Sequence, residues 1–170
     1  IHGPIMNDMF DFKNKKPLAM WWIYNQAPSD FLKTVSSLSH TKNMDDFYAG
    51  TKDLVAPGLN IMYGDAKGNI AWRASAKLYK QAPTVNRNFI LNGANGIDDK
   101  KEYLDESKNP MSVNPPSNYV YSANNQTRTM DNELYPGYYS PNDRAQRIVN
   151  LLEPKNNWTN EVNSHKPKRS

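Results

Sequence analysis

The chain has 170 residues, a length that fits one ordinary domain. Its hydrophobic share of 38% and its mean hydropathy of −0.84 are low for a self-contained globular domain. It nevertheless contains 5 Phe, 10 Tyr and 4 Trp, and disordered chains are poor in such residues. We therefore expect a loop-rich domain, or part of a larger protein whose core another segment completes.

Composition and charge exclude several classes of function. No cysteine is present, which excludes a thiol nucleophile, a disulfide framework and a cysteine zinc site. The three histidines are too scattered to suggest metal-ligand spacing. The net charge of +4 is concentrated near the C-terminus, at Lys166, Lys168 and Arg169, and no basic stripe with stacking aromatics predicts a nucleic-acid partner. No apolar run approaches the ~18 residues of a membrane span, so no membrane partner is expected.

The first predicted element in chain order is a strand. Residues 17–24 form a continuous apolar run bounded by turn residues, which predicts a strand buried on both faces. A helix follows, with Ser29 or Asp30 as its cap. Asn43 begins a second helix, which Pro57 ends. The apolar face of the first helix consists of Phe31, Leu32, Val35 and Leu38.

The clearest pattern in the middle of the chain is a β-hairpin. Residues 60–65 and 70–75 are strand-like, and residues 66–69 form a short loop that contains glycine. Periodicity then disappears over residues 77–116, which predicts a long irregular segment that carries function or covers a neighbour. Residues 118–122 restore strand character.

The last predicted element is a helix that Ser140 and Pro141 begin, with a hydroxyl at the cap and proline at the first helical position. Pro154 is expected to stop it. Residues 163–170 have the composition of a disordered tail, so the domain is expected to span residues 1–162. The pattern as a whole predicts an α+β fold.

Three stretches match family motifs in the same order and at similar spacing. They are residues 1–5 (IHGPI), residues 59–70 (LNIMYGDAKGNI) and residues 119–125 (YVYSANN), the last followed by Asp143 and Arg144. Together they resemble the "(T/R)xHGP(I/V)" strand, the "xNxxYADxxGNIG" hairpin and the "YIxxxNN…DR" segment of the penicillin acylase (penicillin amidase) family of N-terminal-nucleophile hydrolases. The chain is identified by this resemblance as an internal β-chain fragment of such an enzyme.

The resemblance implies a four-layer αββα sandwich in which an N-terminal Ser attacks a linear amide, that of penicillin or another N-acyl side chain. The α-amino group of that Ser would serve as the base, because an amine with a pKa near ~8 can accept a proton at neutral pH. Asn124 matches the family's catalytic asparagine, which donates to the oxyanion. Arg144 matches the arginine that lies beside this asparagine and holds it.

One departure from the family pattern is large. Residue 1 is Ile, and the family's "SNxW" start of the β chain is absent. The chain is therefore expected to begin after the nucleophile and to be inactive alone. Its implied partners are the remaining α and β segments and a small-molecule N-acyl substrate. The family implies a bacterial periplasmic or secreted location, and low apolar content makes a homodimer through exposed sheet edges a reasonable expectation.

Two further residues are candidates for substrate binding. His2 lies in the first motif, where the family's strand runs near the active site, although a structural histidine is the simpler interpretation. Trp72 could line an acyl pocket, although aromatic residues in strands more often belong to the core. No cofactor is implied. Asp131 and Glu133 lie where some relatives place a calcium ligand, but calcium needs about six to eight oxygens, so most ligands of such an ion would lie outside this chain.

Two other functions remain as alternatives. The first is a non-enzymatic module that binds carbohydrate through exposed aromatic residues between Trp72 and Tyr139. The second is an inactive homologue. Without the resemblance, Asn124 and Asn125 would be interpreted as a turn whose side chains bond the local backbone.

Overall fold

The computed structural model describes residues 2–9, 16–27, 30–80, 82, 84–86, 88–99 and 102–153. Four sequence predictions lie outside these residues: the tail at 163–170, the domain boundary at residue 162, Ser29 as a helix cap, and Pro154 as the stop of the last helix. Within the described ranges, no helix combines the length and the apolar character that crossing a membrane requires.

The described residues form an α+β fold, as predicted. The three helices are α1 (Phe31–Ser39), α2 (Met44–Thr51) and α3 (Asp143–Leu152). The three strands are β1 (Leu59–Gly64), β2 (Ile70–Ser75) and β3 (Met111–Val113). They form one antiparallel sheet in the order β1-β2-β3. Short 3-10 turns cover Asn7–Met9, Ile23–Asn25 and Glu106–Lys108.

The predicted β-hairpin is confirmed, and a carboxylate organises its loop. β1 pairs with β2 from Leu59↔Ser75 to Gly64↔Ile70. The Asp65 carboxylate accepts hydrogen bonds from Asn69 Nδ2 (2.8 Å) and from the backbone N–H groups of Asn69 and Lys67 (both 2.9 Å). These bonds, led by the Asn69 side chain, lower the pKa of Asp65 to about 2 because they stabilise the charged form.

The core lies where α2 packs against the hairpin. The Phe47 side chain is 1% exposed, and its ring lies 5.3 Å from that of Tyr63 on β1. β2 is covered on both faces, since the consecutive residues Ala71, Trp72 and Arg73 are all buried. This central strand therefore anchors the sheet.

A buried arginine joins three segments of the chain. Arg73 on β2 is 5% exposed. Its Nη1 donates to Tyr48 O (3.5 Å) and to Thr51 Oγ1 (3.3 Å) at the end of α2. Its Nη2 donates to the Glu106 carbonyl (3.1 Å) and forms an ion pair with the Glu106 carboxylate. The guanidinium thus links α2, the sheet and the Glu106–Lys108 turn.

The start of α2 is as predicted, but its end is not. Asn43 caps the helix, because its Oδ1 accepts the Asp46 N–H at 2.9 Å, while the Asp46 carboxylate accepts the Lys42 N–H at 3.0 Å. The helix ends at Thr51, well before Pro57. Leu54 is 1% exposed, so it contributes to the core from the connection that follows the helix.

The predicted strand at residues 17–24 is wrong. Its only bridge in the described residues joins Ala19 to Ile5, and Ile23–Asn25 form a 3-10 turn. The Trp22 ring packs on that of Tyr24 at 4.9 Å, and both side chains are exposed. A continuous apolar run predicts burial only if neighbouring strands exist on both sides. In the part of the chain that the structure describes, this run pairs with the short segment around Pro4 and Met6.

Two further boundaries differ from the prediction. Residues 118–122 form no strand, whereas β3 lies inside the segment that was expected to be irregular. Asn118 has a φ of 57°, which no regular strand accommodates. The last helix begins at Asp143, with Asn142 and not Ser140 in the cap position, and the Ser140 N–H is bonded to the Asn124 carbonyl.

The first helix forms as predicted, but its apolar face is open. In the described part of the chain Leu32 is 81% exposed and Val35 is 45% exposed, while Thr34 on another face is buried. The sequence therefore predicts where this helix lies along the chain, but not which of its faces packs against the protein.

Candidate functional site

Asn124 lies at the apex of a turn that follows a fully buried alanine. Ala123 is 1% exposed, and Asn124 has a φ of 59°. The left-handed conformation costs most residues about 1–2 kcal/mol, and asparagine adopts it more readily than most. Asn114, Asn118 and Asn132 also have positive φ, so the backbone conformation alone does not distinguish Asn124. Its contacts do.

The side chain of Asn124 is oriented by Arg144. Arg144 Nη1 donates to Asn124 Oδ1 at 3.3 Å, across 20 residues of sequence. A guanidinium carries only donors, so the amide oxygen must face it and the amide NH2 must face away. Among the described residues no acceptor is bonded to this NH2, and the Asn124 side chain is exposed. The arrangement presents two N–H donors outward.

The main chain of Asn124 is held as well. Its carbonyl accepts the Ser140 N–H at 2.8 Å, in the connection that precedes α3. Arg144 is the second residue of α3, where the positive end of the helix disfavours a cation. The contact with Asn124 gives this charge a specific partner. The following residue, Ala145, is 5% exposed and fixes the first turn of the helix against the protein.

The structure does not place His2 beside Asn124. His2 Nε2 lies 2.9 Å from Asp99 Oδ1, and Gly93 packs against the imidazole ring, where a Cβ atom would lie 3.6 Å from it. His2 and Asp99 line a cavity of about 970 Å³ whose described lining includes neither Asn124 nor Arg144. The acidic partner of His2 was missed in the sequence, because Asp99 lies within a mixed-charge run typical of solvated surface.

Trp72 belongs to the core and also borders a cavity. It is 8% exposed, and its Nε1 donates to Asn60 Oδ1 at 3.1 Å. It lines a cavity of about 440 Å³ together with Tyr119, Tyr121 and Asn125. Asn125 follows Asn124 directly, so this cavity adjoins the turn that carries the candidate catalytic side chain.

The two acidic residues considered as calcium ligands do not form a cluster. Asp131 Oδ1 lies 2.6 Å from Lys108 Nζ, and this bond raises the pKa of Lys108. Among the residues that the structure describes, no three His, Asp or Glu side chains lie close enough together to hold a metal ion. Asp131 therefore acts as an ion-pair partner between two loops.

The tyrosines before the last helix differ in their surroundings. Tyr138 is 97% exposed. Tyr135 and Tyr139 are half-buried, and the Tyr135 hydroxyl accepts the Tyr79 N–H at 2.9 Å. One exposed ring beside two packed ones is not a flat aromatic platform, which gives the carbohydrate-binding alternative less support.

Comparison with known families assigns the chain to one of them. The model of the family described as penicillin amidase matches residues 1–164. Penicillin amidases are hydrolases. The chain belongs to the penicillin amidase family, which confirms the resemblance carried by its three motifs. A comparison with curated proteins finds no match.

Proposed function

We propose that Asn124 is the oxyanion-stabilising residue of an amide hydrolase of which this chain is one part. The observation that carries the proposal is the Arg144 contact, which fixes the amide oxygen and leaves both N–H donors pointing outward. Family membership supports amide hydrolysis as the reaction. The complete protein would be a four-layer αββα sandwich whose other segments supply the nucleophile.

The chemistry requires a donor of this kind. Attack of a Ser hydroxyl on an amide carbonyl forms a tetrahedral intermediate with a negatively charged oxygen. Pre-oriented N–H groups stabilise that oxygen more than they stabilise the neutral carbonyl, and the loss of one donor typically costs about 3 kcal/mol of transition-state stabilisation. The nucleophile in this proposal is an N-terminal Ser whose own α-amino group accepts the hydroxyl proton.

The substrate proposed is a linear amide with an apolar acyl group, such as a penicillin or another N-acyl compound. Trp72 contributes to the pocket wall through the cavity that it shares with Asn125. His2 is a further candidate for substrate binding, because it lines the larger cavity with Leu18 and Trp21, although the described lining of that cavity does not include Asn124. The proposed setting is the bacterial periplasm or the extracellular space, with the remaining α and β segments as partners and, through an exposed sheet edge, a second copy of the protein.

Two substitutions at Asn124 test the role directly in the full-length protein. Asn124→Asp retains an oxygen for Arg144 and removes both N–H donors, whereas Asn124→Ala removes both functions. We expect each to lower kcat roughly 100-fold or more on a chromogenic N-acyl p-nitroanilide, with a small effect on KM. Asn132→Ala is the matched control, because Asn132 is also left-handed (φ 65°) but does not contact Arg144.

The outcomes separate the alternatives. Wild-type kcat in Asn124→Asp would exclude an oxyanion role for the amide group. An inactive homologue would be recognised by sequencing the processed N-terminus of the complete protein, where Ala or Gly would stand in place of Ser. Binding of soluble oligosaccharides without any amidase activity would support the non-enzymatic module.

A further inference from the structure

We propose that Asn125 is a positioning residue that holds Asn124 in its productive orientation. This inference rests on the proposed function, since it concerns how the same site is held. Sequence motifs alone treat the second asparagine of the pair as part of an ordinary turn. In the structure its side chain forms two hydrogen bonds to the backbone on either side of Asn124.

The side chain of Asn125 closes the turn around its neighbour. Asn125 Oδ1 accepts the Ala123 N–H at 3.3 Å, so the bond spans Asn124. Asn125 Nδ2 donates to the Gln126 carbonyl at 3.3 Å. Both ends of the amide are therefore engaged with backbone, and the side chain is half-buried. An amide fixed at both ends defines the path of the chain through the apex.

This fixation matters because Asn124 itself has little support. Its side chain is exposed and is held only by the Arg144 contact among the described residues. The direction of its N–H groups then depends on the backbone, whose φ of 59° a flexible turn would not maintain. The Ser140 N–H holds the carbonyl side of the residue, and Asn125 holds the turn on both sides of it.

Asn125 also borders the cavity beside the turn. Asn125 lines it together with Trp72, which is itself anchored to Asn60. A site on a loop reaches catalytic geometry when side-chain hydrogen bonds of this kind hold its backbone.

The test uses substitutions at Asn125 in the full-length enzyme, with an N-acyl p-nitroanilide as substrate. Asn125→Ala removes both bonds, whereas Asn125→Asp keeps the acceptor for the Ala123 N–H. We expect Asn125→Ala to lower kcat roughly tenfold or more at unchanged KM, and Asn125→Asp, which lacks the donor to the Gln126 carbonyl, to restore part of it. Asn86→Ala is the matched control, because Asn86 Oδ1 also accepts a local backbone N–H, from Asn88 at 3.1 Å, and lines neither cavity.

A double variant separates positioning from general damage. In an Asn124→Ala background, Asn125→Ala should lower kcat no further, because the residue that it positions is gone. An equal loss in both backgrounds, a wild-type kcat in Asn125→Ala, or a loss in Asn125→Asp as large as in Asn125→Ala would each overturn the inference.

A crystal structure of the Asn125→Ala protein distinguishes this inference from the proposed function. The Asn124 φ should leave the left-handed region, or its contact with Arg144 should be lost. If Asn124→Ala is fully active, the proposed function fails. The positioning contact is then judged on that geometry alone, and an unchanged Asn124 would refute it.

Discussion

The buried guanidinium of Arg73 allows a sharp test of how the fold is held together. Its side chain is 6% exposed, whereas that of Glu106 is 48% exposed. The carbonyls that Arg73 contacts also have other donors: Tyr48 O accepts the Lys52 N–H and Glu106 O accepts the Asn109 N–H, both at 3.1 Å. Replacing Arg73 by methionine therefore leaves both carbonyls partnered.

The two ways of breaking the ion pair should have unequal costs. Glu106→Ala leaves the buried Arg73 cation with neutral acceptors only. Because a hydrogen bond to a charged group contributes about 1.5–3 kcal/mol, we expect the free energy of unfolding to fall by that amount. Arg73→Met removes the buried charge together with its desolvation cost, and the Glu106 carboxylate returns to water. Its cost should be below about 1 kcal/mol, because apolar replacement of a buried ion is often nearly neutral.

Urea unfolding of the chain, followed by circular dichroism, measures both values. The double variant should match Arg73→Met, since Glu106 has no buried charge to serve once Arg73 is gone. Glu102→Ala is the control, because its ion pair with Lys80 is exposed on both sides and should contribute less than about 1 kcal/mol. An Arg73→Met protein less stable than Glu106→Ala would refute the reasoning and make the cation a net stabiliser.

Other predictions follow from single residues, all measurable by thermal or urea unfolding. Gly64→Ala should stabilise the chain by about 0.5 kcal/mol, since a Cβ there has its nearest neighbour at 4.0 Å. Gly3→Ala should destabilise it by more than about 1 kcal/mol, because Gly3 has a φ of 96° and a Cβ would collide with the Met20 carbonyl. Asp65 has a pKa of about 2 in the folded chain, against an ordinary value of 3.8. Its contribution to the free energy of unfolding is therefore complete above pH 3.8 and is lost as the pH falls to about 2. Asp65→Asn should remove that part of the pH dependence. Phe47→Ala should cost about 3–5 kcal/mol, because the ring is 1% exposed.

The elements predicted well from the sequence are those whose signals are local. The hairpin follows from two strand-like segments joined by a glycine-containing loop, and the Asp65 contacts that shape this loop lie within four residues. The start of α2 follows from Asn43, whose capping bond reaches only to Asp46. Such patterns are decided by neighbours in sequence, which a single sequence contains.

The failed predictions depended on distant partners. The run at residues 17–24 is apolar enough for a central strand, but among the described residues its one bridge is to Ile5. β3 has just the three residues Met111–Val113 and no pattern of its own, and it exists because β2 offers a free edge. His2 meets Asp99 across 97 residues, and neither sequence neighbourhood predicts the pair.

The candidate site depends both on signals that the sequence contains and on contacts between distant residues. Asn124 and Arg144 were predicted from motifs, and the contact between them gives a partner to an arginine that the positive end of a helix disfavours. What the sequence could not supply was the packing that holds them 3.3 Å apart. Each residue lies next to a buried alanine, Ala123 at 1% and Ala145 at 5% exposure, so the two exposed polar groups extend from fixed backbone. This arrangement allows an exposed amide to keep one orientation. The packing of the two alanines already restricts the backbone, so less conformational entropy remains to be lost when the amide is ordered.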